Sequence, residues 1–185
     1  MPPQTPSQTV GPFFSRALTP AGSRPGRVPG NRIADETAPG VPIRIEGRLL
    51  DGVGDPVPDG MVEIWQADHE GVYGRFEEVF RGFGRAGTDP DGRFTFLTIK
   101  PGPVAPGLAP HASVAVFARG MLNHAFTRIY FSDEAAANAA DPVLSSVEPP
   151  RRGTLVATRS DRDGIQSYEF TIRLQGDRES VFFDA

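Results

Sequence analysis

Seven short runs in which apolar and polar residues alternate, set apart by Asp-Gly turns, limit what this chain can fold into. Val41, Ile43, Ile45 and Leu49 fall at the period-two spacing of a half-buried strand. The same pattern predicts strands over Met61–Gln66, Arg93–Ile99, Ser113–Ala118, Ala125–Phe131, Leu155–Thr158 and Gln166–Leu174. The last carries Tyr168, Phe170, Ile172 and Leu174 on one side. Asp51-Gly52, Asp59-Gly60, Asp91-Gly92 and Asp163-Gly164 separate the runs, and glycine tolerates the positive φ of tight hairpins. Strands this short and this regularly punctuated predict an all-β fold, an antiparallel β-sandwich. One stretch departs from the pattern. Residues 134–140 read as a short helix, capped by Ser132 or Asp133 and stopped by Asp141-Pro142, so one or two short helices are expected beside the sheets.

Composition sets the outer bounds. With 21 Gly, 19 Pro and 38% hydrophobic residues among 185, the chain has material for one core and many turns. No run approaches the roughly 18 apolar residues of a membrane span. A formal net charge of −4 argues against a general attraction to nucleic acid or anionic membrane. All basic residues but Lys100 are arginine, and there is no cysteine, which excludes a disulfide framework, a thiolate nucleophile and a cysteine-ligated metal. Residues 1–6 show neither a basic nor an apolar leader segment, so a cytoplasmic location is expected. Residues 1–40, rich in Gly and Pro from Pro20 onward, read as an extended arm ahead of a sandwich domain spanning 41–185. Thr9-Val10-Gly11-Pro12-Phe13-Phe14 is too apolar for a solvated tail and is expected to dock.

Few motifs survive inspection. Gly82-Phe83-Gly84-Arg85-Ala86-Gly87 matches the letters of a dinucleotide fingerprint, but a turn and a strand follow instead of the helix that would hold a pyrophosphate. Asp89-Pro90-Asp91-Gly92 and Asp161-Arg162-Asp163-Gly164 lack the converging oxygens of a calcium loop, and Lys100 stands where its closing carboxylate would be. They read as hairpin turns. His69, His111 and His124 form no metal-ligand spacing, and only His111 is expected to point into a core. No G-x-S-x-G is present. Arg128 shares a strand face with Phe126 and Tyr130 and needs an anion or carbonyl partner. An internal salt bridge and a clamp for a carboxylate ligand are equally open from spacing alone.

Six blocks occur in order: Thr5-Pro6-Ser7-Gln8-Thr9-Val10-Gly11-Pro12, Trp65-Gln66-Ala67-Asp68, Thr98-Ile99-Lys100-Pro101-Gly102-Pro103, Ala109-Pro110-His111, Thr127-Arg128-Ile129-Tyr130-Phe131 and Val181-Phe182-Phe183-Asp184. With them the chain resembles the intradiol ring-cleaving dioxygenases from about Thr5 onward, least so over residues 15–40. The resemblance implies a β-sandwich and a pairing of homologous α and β subunits. The β subunit holds a non-haem Fe(III) through two tyrosines and two histidines. The implied reaction opens protocatechuate between its hydroxylated carbons with O2, giving 3-carboxy-cis,cis-muconate.

Carried over one position at a time, the iron ligands are incomplete here. Tyr73 and His111 stand where the family has its first tyrosine and first histidine. Val104 and Ser113 replace the second tyrosine and second histidine, and Leu108 replaces an assisting arginine. Two donors do not hold a ferric ion against hydrolysis. The resemblance therefore implies a non-iron-binding α subunit with no catalytic residue of its own, whose degenerate Tyr73 and His111 are expected to bond one another. Gly11, Pro12 and Arg128 match positions that line the substrate pocket at the α–β interface. A stand-alone β-sandwich binding module that has lost the chemistry is the alternative. A catechol or hydroxyquinol enzyme is a weaker third, because those relatives carry an added N-terminal helical region.

Overall fold

The computed structural model describes Leu18 and residues 29–74, 79–162 and 164–184. Gly11 and Pro12 lie outside the described residues. Eight strands follow in chain order: β1 (Pro42–Leu50), β2 (Met61–Gln66), β3 (Phe83–Gly87), β4 (Arg93–Ile99), β5 (His111–Phe117), β6 (Ala125–Phe131), β7 (Val156–Arg162) and β8 (Ile165–Arg173). They pair in the order β3-β2-β5-β6-β7-β8-β1-β4. One layer is β3-β2-β5-β6 and the other is β8-β1-β4, with β7 turning the corner between them. Val156 and Ala157 of β7 pair with β6, whereas Thr158 to Arg162 pair with β8. The β6–β7 and β1–β8 pairings are parallel and the rest antiparallel. The sandwich is therefore all-β as expected, but of mixed direction.

Alternation builds the core. Ile43, Ile45 and Leu49 of β1, Phe94 and Phe96 of β4, and Tyr168, Phe170 and Ile172 of β8 meet Val62, Ile64, Val114, Val116, Ile129 and Phe131 from the other layer. Burying such side chains is worth about 1.5–3 kcal/mol each before the entropy of ordering them. The opposite side of the sandwich is closed by residues 30–35, placed by sequence with the arm. Ile33 N–H donates to the Leu97 carbonyl of β4, Arg81 N–H donates back to Ile33, and Arg85 N–H of β3 donates to Gly30. The exposed edges of β3 and β4 are thus covered, and Ile33, Ala34 and Ala38 join the core.

Sequence reading missed β3, because glycines weaken its strand signal. The structure supplies the reason for one of them. A Cβ on Gly84 would sit 2.4 Å from Ile33 Cγ1, so the closing segment and the strand require each other. The turns differ from expectation as well. Of the Asp-Gly pairs, only the one ending at Gly164 (φ +76°) joins strands that pair, and the Asp89–Gly92 turn passes between layers.

Helix α1 (Ala135–Ala140) packs beside β6, and α2 (Pro142–Ser146) and α3 (Pro149–Arg152) follow, each against the helix before it. Neither Ser132 nor Asp133 caps α1. Its N-cap is Glu134, without a side-chain bond, because both candidates are engaged elsewhere. Ser132 Oγ accepts from Arg159 N–H. Asp133 binds Lys100 Nζ at 2.9 and 3.0 Å. Asp141 ends α1 and opens α2, accepting from the Val143 and Leu144 amides, with Pro142 at the first helical position. Lys100 also bonds the Tyr168 hydroxyl and pairs with Glu134, with its ammonium 4.7 Å from the Phe131 ring centroid. This knot anchors the start of the loop over residues 101–110.

Candidate functional site

The pairing of β5 and β6 places His111 opposite Tyr130 and Ser113 opposite Arg128. Ala112, Val114, Thr127 and Ile129 take the core side, so the other four side chains share the outer face. Trp65 of β2 continues that face opposite Ser113, with 41% of its surface exposed and its ring tilted against Phe83 at 5.7 Å. Farther along, Arg85 is paired with Glu63 and donates to the Leu18 carbonyl at 3.4 Å. The face that carries the site therefore also meets a residue of the arm.

Two loops close over this face. The Asp68 carboxylate accepts the Glu70 and Val72 amides, each at 2.9 Å, and folds residues 68–72 into a tight turn. Gly71 has φ +83°, and a Cβ there would lie 2.0 Å from the Pro103 carbonyl oxygen. Only glycine allows the turn to press against residues 103–104. Val104, half-buried, stands at this junction. Tyr73 at the end of the turn reaches β5, where its hydroxyl is hydrogen-bonded to Ser113, and burial raises its pKa. The structure thus brings Tyr73, His111, Ser113 and Arg128 together. It corrects one expectation: Tyr73 bonds Ser113, not His111.

His111 is bonded elsewhere. Its Nδ1 lies 2.9 Å from the Ala109 carbonyl, which only accepts, so Nδ1 carries the proton. Burial, reinforced by the Arg128 charge, holds its pKa below the ordinary 6.5, while the Ala109 bond opposes the shift. Below pH 6.5 the unfolded chain then binds a proton that the folded chain resists. Stability should fall as pH drops from about 6.5 toward the lowered folded value. In a His111→Gln variant this part of the pH dependence should vanish. Urea titrations at pH 5 and 7 check it, and an unchanged pH slope would discount the histidine.

Arg128 has no ion pair among the described residues. Its one bonding partner there is the Tyr130 hydroxyl, 3.4 Å from Nη1. The internal salt bridge that sequence left open is not formed with any described carboxylate. Tyr130 in turn contacts Asp141 Oδ1 at 3.1 Å. Asp141, wholly buried, also accepts the Ala109, Val143 and Leu144 amides, each at 2.9 Å. Burial works to raise its pKa, but these bonds outweigh it and the carboxyl lies below the usual 3.8. Sequence showed Asp141 only as a helix signal; its reach to Ala109 and Tyr130 depends on contacts that local spacing does not encode.

A Dioxygenase family profile matches residues 10–176, and the chain belongs to this family of ring-cleaving dioxygenases. The protocatechuate 3,4-dioxygenase alpha chain of Pseudomonas putida is 47% identical to it, over 98% of this chain and 96% of that one. The beta chain of the Burkholderia cepacia enzyme is 32% identical, over 72% of this chain and 64% of its own length. Among solved structures, the dioxygenase domain of a dioxygenase carbohydrate-binding protein fusion from Streptomyces sp. SirexAA-E superposes with a TM-score of 0.65 at 28% identity. That match covers 93% of this chain and 98% of the domain.

The ferric ion that the family implies does not fit the residues at hand. Val104 has no lone pair to give, and Ser113 offers only a neutral hydroxyl, hydrogen-bonded to Tyr73. Arg128 adds a fixed positive charge beside Tyr73 and His111, which works against a trivalent cation. Among the described residues no three His, Cys, Asp or Glu side chains gather into a metal-holding group.

Proposed function

We propose that this chain is the non-iron-binding α subunit of an Fe(III) dioxygenase that cleaves protocatechuate between its hydroxylated carbons. One atom of O2 enters each of the two carboxyl groups formed by ring opening, giving 3-carboxy-cis,cis-muconate. The iron is held by a homologous β subunit, and αβ units assemble into a larger hetero-oligomer. One observation carries the reading: the chain matches an alpha chain end to end while its own donor set stays incomplete. A beta chain of the same enzyme type is a more distant relative, as expected for two subunits descended from one fold. We place the assembly in the cytoplasm; a chain without cysteine makes no demand on an oxidising compartment.

In this reading Arg128 presents its guanidinium to the substrate carboxylate, and Gly11 and Pro12 line the same pocket from the arm. The chain's part in the chemistry is orientation, setting the ring so that its hydroxyls meet the partner's metal. Arg128→Leu in the co-assembled enzyme removes a charge-assisted contact worth about 1.5–3 kcal/mol. The KM for protocatechuate should rise about ten- to a hundred-fold, or kcat/KM fall to match. Steady-state kinetics on variant of verified mass tests this, and unchanged constants in an intact assembly would remove Arg128 from the substrate site.

A further inference from the structure

We propose that Tyr130 is a positioning residue: its hydroxyl, fixed by the buried Asp141 carboxylate, aims the Arg128 guanidinium at the carboxylate of a bound aromatic acid. The proposal rests on the role given to Arg128 above. Hydrogen-bond direction sets the geometry. A carboxylate only accepts, so the Tyr130 O–H donates to Asp141 at 3.1 Å and its oxygen lone pair faces Arg128 Nη1 at 3.4 Å. Burial keeps the phenol protonated at neutral pH, which preserves this direction.

The relay is rigid where it needs to be. Tyr130 and Asp141 are both inaccessible to solvent, and three backbone amides lock Asp141 at the start of α2. Arg128 sits on the same strand two residues away. An arginine side chain has about 2 kcal/mol of rotamer entropy to lose, and Tyr130 is the only described residue that restrains its head. Tyr130 takes one N–H, and the other guanidinium donors stay available for a two-point contact with a carboxylate. The Asp141 charge, one hydroxyl removed, offsets the desolvation of the cation.

The test is Tyr130→Phe in the co-assembled enzyme, a change that keeps the ring and its packing against His111. The KM for protocatechuate should rise about three- to ten-fold, less than for Arg128→Leu because the guanidinium loses a restraint and keeps its charge, with kcat within about two-fold. Competitive inhibition by 4-hydroxybenzoate should weaken in parallel, whereas inhibition by phenol, which lacks the carboxylate, should not. Should this variant not assemble, Asp141→Asn carries the same selective prediction. Equal weakening of both inhibitors would mean a structural role and overturn the proposal. So would unchanged constants where Arg128→Leu raises KM. If Arg128→Leu is silent too, the reading of Arg128 itself is what fails.

Discussion

Purified without a partner, the chain is expected to take up no stoichiometric iron and to open no protocatechuate ring. Mixed with a homologous chain that carries Tyr and His at the positions of Val104 and Ser113, it should regain both. The effect is all-or-none because ligand count is not a graded property. Tyr73 and His111 supply two donors at most, Tyr73 is already bonded to Ser113, and Arg128 places a positive charge beside them. Two protein donors do not compete with hydroxide for a ferric ion. Metal analysis and oxygen uptake on the lone chain and on the mixture measure it. A lone chain that is coloured, iron-loaded and active would show that Val104 and Ser113 have been misread.

Asp141→Leu is expected to be the most damaging single substitution at the site. The carboxylate is the acceptor for the Ala109 amide, the Tyr130 hydroxyl and two first-turn amides of α2. Leucine fills similar space and satisfies none of them. Leaving the Ala109 and Tyr130 donors buried and unpaired, with the cap lost, should destabilise the fold by about 3–5 kcal/mol. For a chain of this length that corresponds to roughly 10 °C in Tm. The gap should narrow in acid. The folded carboxyl titrates below its ordinary 3.8, so its contribution is present above that pH and is lost as pH falls through the folded value. Thermal unfolding of the assembled enzyme at pH 7 and below pH 4 tests both parts, and a loss under 1 kcal/mol at neutral pH would rule out the carboxylate as a keystone.

Much of the fold was legible because strand alternation is a local signal. Seven of the eight strands lie where period-two runs predicted them, shifted at the ends: β5 begins at His111 rather than Ser113, and β7 runs on to Arg162. The shift at β5 matters, since it sets His111 against Tyr130 within the sheet. β3 escaped notice because its glycines weaken the strand signal, and one of them, Gly84, lacks a side chain to make room for Ile33, a requirement imposed by a segment some fifty residues earlier. The cap of α1 was misjudged for the same reason: Asp133 has a better partner in Lys100, thirty-three residues away.

The sequence by itself determined the β-sandwich class, the family, and the loss of two metal donors, because each is written in residue identity or in spacing within a strand. Tertiary structure alone decided that Tyr73 bonds Ser113, that Arg128 meets no described carboxylate, and that Asp141 reaches it through Tyr130. Those facts depend on groups from separate strands, loops and a helix start converging on one face of β5 and β6. Helical spacing encodes Asp141's bonds to the amides two and three residues on, but its bond to Ala109, thirty-two residues back, exists only once the sheet is assembled and water has been excluded from around it.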